Sequence, residues 1–257
     1  MWVWLMMLCT SSFEEYRDEH SCDSVINTIH DTSEFMVYDS FGLHESIFGL
    51  GQVEHPLAAS GGCAIEVFSG TEVVTLGLQL ARVPTCSPWD ILLDGRMNVV
   101  TNGRVLLELV AAKVITTAWV ASPCSSLTCA RLPALRSASF PEGLRSLGAR
   151  QTRLVDEGNM LSWFSITLCL MLYMMNGYFA LENPSGSFIW LLKMMLKLYR
   201  LSGVAFCNLW FQPYGALYVK PTSVLHNVPT LHSLRLPRPA RDAVVVLRGF
   251  VIDQNGW

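Results

Sequence analysis

The residues best suited to chemistry sit where apolar runs stop. Val114–Val120 is a β-branched, apolar stretch that ends abruptly in Ser122-Pro123-Cys124. A structural cysteine belongs inside such a run. One placed just after a proline at its end is offered to a loop, where a thiolate can act as a nucleophile. Two other runs end in a similar way. CAIEVF, residues 63–68, meets a turn at Phe68-Ser69-Gly70, and the strand-like residues 178–181 lead into Glu182-Asn183-Pro184. Arg131, Arg136, Arg145, Arg150 and Arg153 follow the cysteine as a local basic run, opposed mainly by Glu142. Arginines so placed could hold a phosphate backbone. A second cluster is Arg235, Arg238, Arg241 and Arg248. Each feature also has an ordinary reading: Cys124 as an inert core thiol, Ser69-Gly70 and Glu182-Asn183 as plain turns, Asp90 as a cap, and the arginines as a solvated loop.

The elements that must position these residues are legible from residue 63 onward. The first strand is followed by a helix with Val73, Leu76 and Leu80 on one face. A short segment then ends at Trp89-Asp90. Residues 103–113 read as a helix, 114–120 as a strand, and Asn159 as the cap of a long helix that Gly177 ends in a left-handed conformation. Residues 178–181 read as a strand and Ser187–Arg200 as an amphipathic helix. Strands at 204–211 and 216–219 are expected to pair across Gln212–Gly215. Strands alternating with helices predict an α/β fold with a mostly parallel, Rossmann-like sheet flanked by helices. Ligands of such sheets sit at the carboxyl ends of the strands, which would bring the three run-ends to one rim. The expected division is an N-terminal extension over 1–58, poorly specified and weakly periodic, an α/β domain over 59–225, and a C-terminal tail over 226–257.

Composition limits the alternatives. The chain has 257 residues, of which 51% are hydrophobic and only 15% charged, so it can bury a core and global disorder is not expected. A net charge of −3 gives no global basic field for nucleic acid, which leaves only local patches. The eight cysteines form no C-x-x-C pair and have no histidines at zinc spacing, so no metal site is expected. Scattered through apolar segments, they read as core thiols in a reducing, intracellular compartment, with Cys129 structural. MWVWLMMLC at the start lacks a basic n-region and does not read as a signal peptide. The apolar stretch Met160–Leu181 is interrupted by Asn176-Gly177 before it reaches spanning length, so a buried helix and strand are expected in place of a membrane segment.

Taken in order, these motifs give the chain a resemblance to the cytosine-C5 DNA methyltransferases, within the wider S-adenosylmethionine-dependent methyltransferase fold. That family has an F-x-G turn after its first strand, an acidic residue after the second, Pro-Cys after the fourth and Glu-Asn after the fifth. Here stand Phe68-Ser69-Gly70, Asp90, Pro123-Cys124 and Glu182-Asn183, over roughly residues 63–225. LENPSGSFIW looks closer to divergent, phage-like or mobile-element-associated members than to the standard enzymes, and YGALYVKPTSVL looks like a segment of those relatives. The resemblance implies Cys124 as nucleophile and Glu182 as the acid facing the base. It implies Phe68, Ser69, Gly70, Asp90 and Pro123 around S-adenosylmethionine, and Asn183 with Arg131 toward a DNA substrate. A nuclear location would follow if genomic DNA is the target, and a partner protein would supply target recognition.

The departures from the family are specific. Ser122 replaces a proline, Glu72 stands where further glycine is usual, and Pro184 replaces valine. No Q-x-R-x-R segment follows the fifth strand, and Lys220 is a weak substitute. The family's closing Gly-Asn is absent, Gly158-Asn159 lying between the cysteine and glutamate motifs, and no separate target-recognition domain fits. An amino-directed methyltransferase is disfavoured, since the second proline of its loop would be Cys124. The other readings are an inactive methyltransferase remnant from a mobile element and a membrane-associated protein through residues 160–181.

Overall fold

The computed structural model describes residues 61–210 and 221–234. Five strands, β1 (Cys63–Val67), β2 (Ile115–Val120), β3 (Tyr178–Pro184), β4 (Ala205–Trp210) and β5 (Pro221–His226), form one sheet in the order β1-β2-β3-β5-β4. β1, β2 and β3 are parallel, while β5 runs against both β3 and β4, so only β5 opposes the common direction. The sheet is therefore mixed. β4 pairs with β5 at 221–226, and the strand expected at 216–219, with its connection at 212–215, falls outside the described residues.

A sixth segment extends the sheet. Ala64 and Val67 bridge Thr85 and Trp89 in parallel. The main chain of Ala64 bonds to Pro84 and Cys86, whereas Cys63 N–H donates to Val114 C=O and Ala121 N–H to Val67 C=O. Alternate residues of a strand serve opposite neighbours, so residues 84–89 form an edge on the side of β1 away from β2. This pairing also draws Cys63 and Cys86 together at a Cα separation of 5.9 Å, and they form a disulfide. The expectation of core thiols fails for these two, while Cys169 and Cys207 are buried thiols.

The helices are α1 (Val73–Leu80), α2 (Val99–Ala111), α3 (Ala149–Met174) and α4 (Lys193–Tyr199). α2 and α3 bury Leu106, Val110, Leu168 and Leu172 against Ile65, Val67, Val120, Phe179 and Leu181. Glu66, between Ile65 and Val67, faces the other side and meets α1 there through Thr75. A smaller cluster of Ala180, Cys207, Leu209 and Val224, with Leu231 and Leu234, packs on that same side.

Several element boundaries differ from the sequence expectation. α1 buries Val73, Val74, Thr75 and Gly77, whereas Leu76 and Leu80 are exposed, because the helix docks by its first turn onto Glu66. α2 starts at Val99, capped by Asn98, whose side chain accepts from Val100 N–H. α3 starts ten residues before Asn159, after its N-cap Gly148, whose N–H donates to Gln151 Oε1. Asn159 is a buried mid-helix residue. At the far end Asn176, not Gly177, takes the left-handed conformation, with φ 59°. Gly177 is needed for another reason: a Cβ there would lie 2.6 Å from Thr116 C=O. The expected helix over Ser187–Arg200 is a 3-10 turn, Phe188–Leu191, followed by α4. No helix among the described residues is long and apolar enough to cross a membrane. α3 has the length, about 39 Å at 1.5 Å per residue, but its first turns carry Arg150, Arg153, Asp156 and Glu157.

Candidate functional site

The chain leaves β1, turns through α1 to the 84–89 edge, then crosses back by α2 to β2 on the opposite side of β1. The strand order therefore reverses between β1 and β2. In open α/β sheets the crevice beyond the carboxyl ends at such a reversal is where ligands bind. The residues there are Phe68-Ser69-Gly70, Asp90 and Ser122-Pro123-Cys124.

Three residues of the first turn are left-handed: Phe68 (φ 59°), Gly70 (φ 53°) and Glu72 (φ 58°). Phe68 N–H donates to Trp89 C=O at 2.8 Å, and Gly70 N–H donates to Asp90 Oδ2 at 2.9 Å. Asp90 Oδ1 accepts from Leu92 N–H at 2.8 Å. Asp90 is thus both the cap of its own turn and a brace on the glycine turn. Ser69 is buried and its hydroxyl has no hydrogen-bond partner. A Cβ at Gly70 would meet nothing within 4 Å, so the turn opens onto free space.

The end of β2 is tied to β3 and α3. Asn183 Nδ2 donates to Ser122 C=O at 2.8 Å, and the Ser122 and Ser165 hydroxyls share a hydrogen bond. Pro123 is exposed and Cys124 half-buried. Cys124 C=O accepts from Leu127 N–H and Thr128 N–H, which folds the following residues into a tight turn. Arg131 reaches back to that turn and donates from Nη1 to Ser125 C=O at 3.1 Å. Beyond β3, Trp190 Nε1 donates to Pro184 C=O, and Phe188 N–H donates to Leu127 C=O, so the two loops are laced together. Asn183 is fully buried and acts on Ser122 directly, while Glu182, beside it, is half-buried on the other face of β3.

The basic run does not survive as a unit. Arg136 is only 2% exposed. Its guanidinium donates to Ser126 C=O (2.8 Å) and Oγ (3.1 Å), Pro141 C=O (2.6 Å), Asn159 Oδ1 (2.6 Å) and Val155 C=O (3.0 Å). Burial pushes its pKa down to about 10, opposed by Glu142 and Asp156, so it remains charged at neutral pH. Arg136 is a clasp between the cysteine loop and α3, with no capacity left for phosphate. Arg145 lies over the Phe140 ring, 5.3 Å from its centroid. The clasp demands a glycine on α3: a Cβ at Gly158 would stand 2.0 Å from Ser126 Oγ. Lys220 and the arginine cluster from 235 lie outside the described residues.

Between the first turn and the cysteine loop lies a cleft of about 230 Å³, walled by Phe68, Ile91, Pro123, Leu154, Glu157 and Leu161. A larger, more open hollow of about 480 Å³ lies between α1 and the 84–89 edge, bordered by Glu72, Gln79 and Cys86 and by none of the Pro-Cys residues. The smaller cleft is the better ligand site because it lies at the strand reversal and is mostly apolar.

No family model matches the chain. No curated protein matches it either.

What the arrangement offers chemically is therefore read from its own residues. A half-buried thiol follows β2 and an apolar cleft lies beside Pro123, but neither Cys124 nor Glu182 lines that cleft, and the half-buried Glu182 carboxyl group stands on the face of β3 opposite Asn183. No group of three metal-ligating side chains exists among the described residues. Two participants are not expected as such from the sequence: Ser165, which holds Ser122 and gives no local signal, and Asn159, which holds Arg136. Gly158-Asn159 in the middle of a helix, where neither residue is favoured, is the available hint.

Proposed function

We propose that the chain is a compact, divergent S-adenosylmethionine-dependent methyltransferase that acts on cytosine C5 in DNA through Cys124. The observation that carries this reading is the order of the motifs in space. In the doubly wound order, strand one lies between strands two and four, and strand five follows four. Here β1 lies between the 84–89 edge and β2, and β3 follows β2. The acid expected after strand two is Asp90, the Pro-Cys expected after strand four ends β2, and the Glu-Asn expected after strand five ends β3. The turn at Ser69-Gly70 has the open face that close approach of a ligand requires, and the buried Ser69 hydroxyl is a donor without a protein partner.

In this reading Phe68, Ile91 and Pro123 enclose the nucleoside, Gly70 gives it room, and Asp90, which accepts one hydrogen bond on each oxygen, has lone pairs left for ribose hydroxyls. When bound, S-adenosylmethionine supplies an electrophilic methyl group. The target base leaves the duplex to reach the rim. Cys124 Sγ bonds to cytosine C6, which makes C5 nucleophilic, and loss of the C5 proton after methylation expels the thiolate. Glu182 acts at N3 of the base, Asn183 holds the Pro-Cys turn, and Arg131 braces the loop from its far side.

A second reading, a fold that has lost its activity, is favoured by two details. Glu72 stands in a left-handed conformation at the mouth of the glycine turn, and Arg136 is withdrawn from any nucleic acid. Calorimetric titration of S-adenosylmethionine separates the readings. Micromolar binding, lost in Asp90→Ala, supports the enzyme, and covalent trapping at Cys124 by a C5-fluorinated cytosine substrate then tests it. Asp90 also braces Gly70, so a thermal melt of the variant must accompany the titration. No binding at millimolar cofactor by folded protein overturns the proposal.

A further inference from the structure

The cleft beside Pro123 has a polarity that its apolar walls conceal. Among the residues that line it, Glu157 alone is ionisable. Glu157 takes part in neither of the ion pairs found among the described residues, Arg96–Asp94 and Arg104–Glu108. Its position is nevertheless built. Arg136 binds the Val155 carbonyl and the Asn159 side chain on one hand and Ser126 on the other, and Gly158 lets α3 lie against Ser126. Glu157, exposed itself, stands on the turn of α3 between these anchored residues and shares the cleft lining with Phe68 and Pro123. The one nearby cation of that clasp is buried and spent on carbonyl and amide oxygens, so it does not neutralise the cleft.

We propose that this cleft selects a positively charged nucleoside, with Glu157 as the counter-charge that distinguishes a cationic from a neutral ligand. An apolar cleft with one carboxylate in its lining, beyond Asp90 at the glycine turn, favours a ligand that combines a flat apolar body with a cation, and disfavours nucleotides, whose phosphates it would repel. The inference rests on the methyltransferase reading and adds to it the residue that would set charge preference. The test compares S-adenosylmethionine with 5′-methylthioadenosine, which shares the nucleoside and carries no charge, on the full chain and on Glu157→Gln and Glu157→Lys. At low salt Glu157→Gln is expected to weaken S-adenosylmethionine about fivefold, the scale of a partly exposed ion pair. Glu157→Lys should weaken it further, and high salt should close the gap. Binding of 5′-methylthioadenosine should be unchanged in both variants, which also shows that the cleft is intact. Equal losses for both ligands, or no loss for S-adenosylmethionine, overturn the role of Glu157 and leave the methyltransferase reading standing. If the wild-type chain is folded and binds neither nucleoside, the methyltransferase reading falls and this inference falls with it.

Discussion

Replacing Arg136 by alanine should be among the most damaging single changes in the described fold. The side chain is 2% exposed and its guanidinium makes five hydrogen bonds, which join the turn after Cys124, the loop at Pro141 and two turns of α3. A hydrogen bond from a charged donor contributes about 1.5–3 kcal/mol, and each buried acceptor left without a partner costs about 1–3 kcal/mol. The bonds share one donor group and water can enter from the exposed loop, so they do not add. A loss of about 3–5 kcal/mol is expected, the range for breaking a buried charged contact. Set against a typical total of about 5–15 kcal/mol, that is a large share. With a urea m-value of about 2 kcal/mol per molar, the midpoint should fall by about 2 M at unchanged m. Arg136→Lys keeps the charge but not the planar fork, and should lose about half as much. The same unfolding curves, repeated with Cys124 alkylation, should show the thiol reacting faster in both variants as its loop loosens. A loss below about 1 kcal/mol in Arg136→Ala would falsify the clasp.

Further expectations concern other parts of the molecule. Gly158→Ala places a Cβ against Ser126 Oγ and should cost about 1–3 kcal/mol by the same urea assay, with Gly103→Ala, which meets Phe164 at 2.4 Å, in the same range. His226 is buried against His232, and burial first, then the charge of His232, lowers its pKa below the ordinary 6.5. Its neutral form is therefore the one the fold prefers: the stability is present above the unfolded pKa and is lost as pH falls through the lower, folded one. Urea midpoints should drop below about pH 6.5 in the wild type, and less steeply in His226→Gln. Reduction of the Cys63–Cys86 disulfide should lower stability by about 3 kcal/mol, read as a lower melting temperature in dithiothreitol that the Cys63→Ser, Cys86→Ser double variant reproduces without reductant.

The alternation of strands and helices, and the placing of three run-ends on one rim, are legible because they depend on local signals: β-branched runs, turn residues and a proline before Cys124. What escapes is decided by partners distant in sequence. α3 reads as beginning at Asn159 because apolar periodicity begins there, yet its polar first turns are helical as well, since they need only solvent and the clasp to stay so. Leu76 and Leu80 have helical spacing but are exposed, because α1 is anchored by its N-terminal turn to a buried acid, Glu66, that accepts from Thr75 N–H and Oγ1. Arg136 reads as one of five basic loop residues. Its burial depends on acceptors at positions 126, 141, 155 and 159, which no window of sequence brings together.

The 84–89 edge also bears on how copies of the chain behave in company. An exposed strand edge is a template for another chain, and aggregation commonly starts there. This one spends the Cys86 and Trp89 amides inward on β1, turns the Thr85 amide outward by alternation, and carries prolines at 84 and 88, which donate on neither side. A foreign strand approaching that side meets a ladder interrupted at Pro84 and Pro88. On this flank the two prolines limit the growth of the sheet by composition.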